Sequence, residues 1–133
     1  LLGELVDKYN QHNINFLGSL ENYEVLNIIK RSTAVVTATK LLEGQPTILC
    51  EASSFGIPSI YPRSGGIEEF FPKNNILSFR QYDYDDLLSK FEIIRNENSV
   101  ISEGFQNKNF IQSYLNEDKL VEEFEKFNMI SNE

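Results

Sequence analysis

The chain has 133 residues, 41% of them hydrophobic and 24% charged, which suits one globular domain and excludes a disordered tract. Twenty acidic against 12 basic residues give a formal net charge of -8 without any basic run, which disfavours nucleic acid and anionic membrane surfaces, both gripped through clustered Lys and Arg. A single cysteine, Cys50, and a single histidine, His12, exclude an intrachain disulfide and leave no support for a zinc site or a Ser–His–Asp triad.

No apolar run approaches the roughly 20 residues that a membrane-spanning helix needs. The first residues carry no basic lead-in to an apolar signal segment, and the expected setting is reducing and cytoplasmic. Leu1, Leu2, Leu5 and Val6, with charges between them, read as the end of a helix without a cap, so the chain is expected to begin inside a larger protein. Asn13-Ile14-Asn15-Phe16-Leu17 alternates polar with apolar and stops at Gly18, the pattern of a short strand and turn. Asn22 or Ser19 then caps a helix running to about Arg31, with Val25, Leu26, Ile28 and Ile29 inward. The β-branched run Ala34-Val35-Val36-Thr37-Ala38 predicts a strand.

That strand leads into Glu43-Gly44-Gln45-Pro46 and a new apolar spacing, Ile48, Leu49, Ala52 and Phe55, which predicts a helix from Pro46 or Thr47. Pro46 suits the first turn, where its missing N–H has no partner, and Thr47 is placed to cap the free amides that follow. Gly56-Ile57-Pro58 turns the chain into a strand at Ser59-Ile60-Tyr61, followed by Arg63-Ser64-Gly65-Gly66, a short helix from Ile67 to Phe71 and a strand at Ile76-Leu77-Ser78-Phe79. From Asp83 the strands stop. Asp85-Asp86 starts a helix carrying Leu87, Leu88, Phe91 and Ile94, a second segment holds Phe105, Phe110 and Ile111, and Asn116 caps a last helix with Leu120, Val121, Phe124 and Phe127. The alternation predicts an α/β fold, a parallel sheet with helices on both faces, in one domain over residues 1–133.

The chemistry concentrates between Glu43 and Gly66. A helix start offers unpaired N–H groups and partial positive charge, which favour a phosphate or a sugar oxygen. Glu43 stands at the mouth of that helix, and Glu51 lies on its first turns, positioned to look along the same rim. The loops after the two strands, at Glu43 and at Gly65-Gly66, are expected side by side beyond the carboxyl ends of the sheet, where open α/β sheets bind ligands. Lys40 and Arg63 flank this region, either as counter-charges to a phosphate or as ordinary surface residues.

Glu43 and Glu51 with seven residues between them form an E-x7-E pattern. Together with GIPSI and SGGIEE, this stretch resembles the donor-binding half of retaining GT-B glycosyltransferases, family 4 in particular. The resemblance implies a Rossmann-like domain, the C-terminal half of a two-domain enzyme truncated at its N-terminus, that binds a nucleotide-sugar. It implies Glu43 as the catalytic carboxylate near the donor sugar, with Gly44, Gln45, Pro46 and Thr47 meeting sugar and diphosphate, where the backbone N–H groups of Gln45 and Thr47 donate. Glu51 then holds the ribose, and Gly18, Ser19 and Leu20 touch the nucleobase. No cofactor and no metal is implied in this domain.

Further implications are a hexosyltransferase-type enzyme, a glycan or lipid acceptor held by an N-terminal domain, and a role in cell-surface polysaccharide or lipopolysaccharide synthesis. Membrane contact, at the inner face, would come only through that other domain. Relatives stabilise the leaving diphosphate with an Arg and a Lys that precede the region where this chain begins, so the chain alone is expected to be inactive. The alternative from another class is a non-catalytic α/β module for nucleotide binding or protein interaction.

Overall fold

The computed structural model describes residues 13–122, and within them the expected alternation of strand and helix is present. In chain order the elements are α1 (Asn22–Lys30), β1 (Val35–Val36), α2 (Thr47–Ser54), β2 (Ser59–Arg63), a 3-10 helix (Ile67–Phe70), β3 (Ser78–Arg80), α3 (Tyr84–Ile94) and α4 (Glu97–Tyr114). The strands form one parallel sheet in the order β1-β2-β3. Val35 lies opposite Ser59 and Val36 opposite Ile60, while Tyr61, Pro62 and Arg63 lie opposite Ser78, Phe79 and Arg80. The helix expected in residues 1–9, His12, and the aromatics Phe124 and Phe127 lie outside the described residues.

The β1 ladder is short for a reason written in β2. Val35 donates its N–H to Pro58 and Thr37 to Ile60, each at 3.0 Å. The next rung would take an N–H from position 62, and Pro62 has none. The chain is therefore released from the sheet after Thr37 and turns toward Glu43. β3 begins at Ser78 rather than Ile76 because the side-chain oxygen of Asn75 captures the Leu77 N–H at 2.9 Å.

Alternate side chains of β2 fill two cores. Tyr61 packs with Leu49 of α2, Ile67 and Phe71, its ring stacked on Phe71 with centroids 4.0 Å apart. Ile60 faces the other way, with Leu77, Phe79 and the partly buried Leu87, Ile93 and Ile94 of α3. Each fully buried side chain of this size contributes roughly 1.5–3 kcal/mol, so β2 is the spine to which α2 and α3 are fixed from opposite faces.

Further boundaries differ from expectation. Residues 13–17 join no ladder, and Ile14, Phe16 and Leu17 are exposed, because none of the described elements covers their apolar side. α1 is capped by Glu21, which exchanges hydrogen bonds with Glu24 in a capping box, rather than by Asn22 or Ser19. The N-cap of α2 is Pro46, without a side-chain cap, so Thr47 is the first helical residue and not the capping one. Asp83 caps α3 by accepting the Asp86 N–H, and Asn116 accepts the Lys119 N–H at the start of helical turns from residue 117.

α4 turns an unexpected face inward. Its buried residues are Glu103, Gly104, Asn107 and Ile111, whereas Phe105 is 64% exposed. The helix lies so close to the turn after α2 that a Cβ on Gly104 would overlap the Gly56 carbonyl oxygen. Asn75 donates to Asn107 at 2.9 Å, tying this polar face to the start of β3.

Candidate functional site

The segment freed by Pro62 runs over the carboxyl ends of the strands and forms a cleft of about 280 Å³, lined by Thr37, Thr39, Glu43, Gln45, Pro46, Thr47, Ile48 and Ile67. The Thr39 hydroxyl donates to Glu43 Oε1 at 3.2 Å and accepts the Leu41 N–H at 3.1 Å. With its oxygen occupied by that amide, the hydroxyl directs its proton at the carboxylate and fixes its orientation. Thr37 Oγ1, also in the cleft, is buried and takes no partner among the described residues.

The Glu43 backbone is fixed from the neighbouring loop. Gly66 donates its N–H to the Glu43 carbonyl at 2.9 Å. Gly65 has φ +57, and a Cβ there would overlap the same carbonyl oxygen, so these glycines are the surface on which the Glu43 loop rests as well as a turn. Three side chains reach the preceding carbonyls: Ser64 to Leu41 at 3.4 Å, Gln81 to Leu41 at 3.5 Å and Tyr82 to Lys40 at 3.0 Å. Loops from all three strands thus meet at residues 40–43.

On the other wall stands the start of α2. Leu49 and Cys50 both donate to the Pro46 carbonyl, while the N–H groups of Thr47 and Ile48 take no acceptor among the described residues. These two donors and the helix dipole make that wall electropositive. A carboxylate and a pair of free amides therefore face one small cleft, an arrangement that suits a neutral hydroxylated group carrying an anionic tail.

The expected residues do not all come together. Glu43, Gln45, Pro46 and Thr47 come together in the cleft. Gly44 sits beside them against Gly66, with open space over its Cα. Glu51 is half-buried on α2 and does not line the cleft, although it shares a side of the helix with Thr47, four residues earlier. Gly18 and Ser19 are exposed before α1, and Leu20 lines a separate groove with Leu17, Tyr23 and Arg31. Arg63 is 3.7 Å from Asp86, so its charge is engaged with α3. Lys40 is exposed.

A larger cavity of about 620 Å³ lies at the opposite end of the sheet, where the strands begin. Phe55, Ile94, Val100, Ile101 and Phe105 line it, and it holds neither Glu43 nor Glu51. The smaller cleft has the chemistry, and it sits at the end of the sheet where α/β folds place ligands. The sequence pattern gives no sign of Thr39 or Tyr82, and it presents Thr37 and Ile67 only as the end of a strand and the start of a helix. Among the described residues no group of histidines, cysteines and carboxylates is arranged to hold a metal ion, and no helix is long and apolar enough to cross a membrane.

Comparison with known proteins gives three findings. Residues 2–103 match the family described as glycosyl transferases group 1. A phosphatidylinositol N-acetylglucosaminyltransferase subunit of Homo sapiens is 32% identical over 78 residues, which is 58% of this chain and 16% of that protein. Sucrose-phosphate synthase from Thermosynechococcus elongatus superposes with a TM-score of 0.78 over 99% of this chain and 34% of its own, at 16% identity, a likeness of fold. The chain thus spans 16% and 34% of the lengths of these two proteins.

Proposed function

The chain belongs to the glycosyl transferases group 1 family, and from that premise we propose that it is the donor-binding part of a retaining, family 4-like glycosyltransferase. The observation that carries this reading is a single cleft lined both by Glu43 and by Thr47 and Ile48, whose N–H groups take no acceptor among the described residues. A nucleotide-sugar fits its two poles. The amides of Gln45, Thr47 and Ile48 hold the diphosphate, and Glu43 accepts hydrogen bonds from the sugar hydroxyls or balances the positive charge that develops at the anomeric carbon as the leaving group departs.

The remaining contacts follow the length of the donor. Gly44, with open space above it, admits the sugar close to the backbone. Glu51, on the Thr47 side of α2, holds the ribose hydroxyls, and Gly18, Ser19 and Leu20 meet the base. The acceptor, a glycan or a lipid, is held by a separate N-terminal domain, through which any contact with the inner face of the membrane is made. Arg63 lies 3.7 Å from Asp86 and Lys40 is exposed beside the Glu43 loop. Further cations from outside this chain neutralise the leaving diphosphate, so that the chain alone does not transfer sugar. Synthesis of cell-surface polysaccharide or lipopolysaccharide is the proposed setting.

Calorimetry with UDP, GDP, ADP and their sugars tests this. The expected result is preference for one base, a loss of roughly tenfold for nucleoside diphosphate in Glu51→Ala, which removes charge-assisted bonds to the ribose, and a loss in Glu43→Gln confined to the sugar-bearing ligand. Unchanged diphosphate affinity in Glu51→Ala would remove the ribose role. Absence of binding, in this chain and in one extended at its N-terminus, would favour a non-catalytic interaction module.

A further inference from the structure

We propose that Tyr82 is a positioning residue for Glu43, an inference that builds on the donor-cleft reading above. β3 ends at Arg80, and the next residues turn tightly, with Asp83 donating to the Arg80 carbonyl at 3.0 Å. Tyr82 has φ +69, a left-handed conformation that residues with a bulky side chain rarely adopt. Asp86 holds the turn in place by accepting the Arg80 N–H at 2.8 Å. Burial does not offset the strain, because Tyr82 is 61% exposed.

What the conformation does achieve is reach. It carries the phenol past the end of β2 to donate to the Lys40 carbonyl at 3.0 Å, a residue 42 positions away. The Ser64 and Gln81 bonds to Leu41, at 3.4 and 3.5 Å, are at the long limit, so Tyr82 makes the strongest of the three. Lys40 lies between Thr39, which orients the Glu43 carboxylate, and Glu43 itself. The loop has little packing of its own, since Leu41 is 70% and Leu42 82% exposed. Tyr82 therefore anchors the middle of the segment whose two ends set the carboxylate.

Tyr82→Phe removes the bond and keeps the ring, and Tyr82→Gly removes both bond and strain. In each, amide exchange at Leu41 and Gly66, the two N–H groups bonded to Thr39 and to the Glu43 carbonyl, is expected to quicken about three- to tenfold, the factor set by one net hydrogen bond. The unfolding midpoint is expected to hold in Tyr82→Phe and to rise in Tyr82→Gly. Unchanged exchange at these two amides, or exchange quickened equally throughout the sheet, would overturn the proposal. A double-mutant cycle with Glu43→Gln, read as affinity for UDP-N-acetylglucosamine, separates positioning from general stability. The Tyr82→Phe loss is expected to vanish in the Glu43→Gln background, and its persistence there would overturn the proposal. If no nucleotide-sugar binds the unaltered chain, the donor reading fails and the exchange data alone decide the role of Tyr82.

Discussion

Gly65 shows how much of the site depends on one missing methyl group. Its φ of +57 already excludes most side chains, and a Cβ would enter the Glu43 carbonyl oxygen. Gly65→Ala is expected to cost about 2–4 kcal/mol, from left-handed strain together with displacement of the loop. Gly44→Ala, with open space over its Cα, is expected to change stability by less than about 0.5 kcal/mol. Urea denaturation of the two variants side by side checks both values. The sequence marks Gly65-Gly66 only as a turn, because its second role requires knowing that the Glu43 backbone lies on top of it. Thr39 was illegible for a similar reason: its hydroxyl matters through the Leu41 amide that aims it, and nothing in its spacing signals that. That Glu43, Gln45 and Thr47 share one cleft is legible because a loop running from a strand into a helix lies at the carboxyl end of the sheet; what each does there is a proposal.

Among the elements, α4 resists pattern reading most and carries a pH prediction. Its buried face includes Glu103, whose carboxyl is pushed up by burial, an effect offset in part by the backbone N–H of Ile76 nearby. A raised folded-state pKa means that the fold favours the protonated form. That contribution is fully present below the pKa of an unfolded glutamate and is lost as pH rises through the raised value. Glu103→Gln keeps an acceptor for Ile76 and carries no charge. It is expected to be more stable than the unaltered chain at about pH 7, an advantage that disappears below about pH 4, where both side chains are neutral. Chemical denaturation across that range gives the answer, and an advantage that grew toward low pH would contradict it. Apolar spacing found α2 and α3 because their cores are made of Leu49 and of Leu87 and Ile94. In α4 it finds Ile111, which is buried, but it also points to Phe105, which is exposed, and passes over Gly104 and Asn107, which are buried. It also proposed a strand at 13–17, where the alternation is real but no described neighbour supplies a ladder.

At the scale of the molecule, the sheet has one edge whose hydrogen-bonding state can be read amide by amide. Val35 and Thr37 donate into β2, so the Val36 N–H between them points away from it. Among the described residues nothing pairs with that outer side of β1. In this chain the Val36 amide is expected to exchange at least about tenfold faster than those of Val35 and Thr37. In a longer chain that adds a strand at this edge, protection at Val36 should rise to match them. Hydrogen exchange by NMR on both lengths decides, and equal protection in the short chain would show that the edge is already covered.

Cys50 gives this arrangement a chemical clock. The thiol is buried on α2, beside the Gln45 side chain, and burial pushes its pKa up, so little of the reactive thiolate exists and little of it meets solvent. It is also the chain's only sulfhydryl. The pace at which a maleimide captures it therefore measures how often α2 lifts from the sheet, and a molecule lodged between the Glu43 loop and the start of that helix would slow the count.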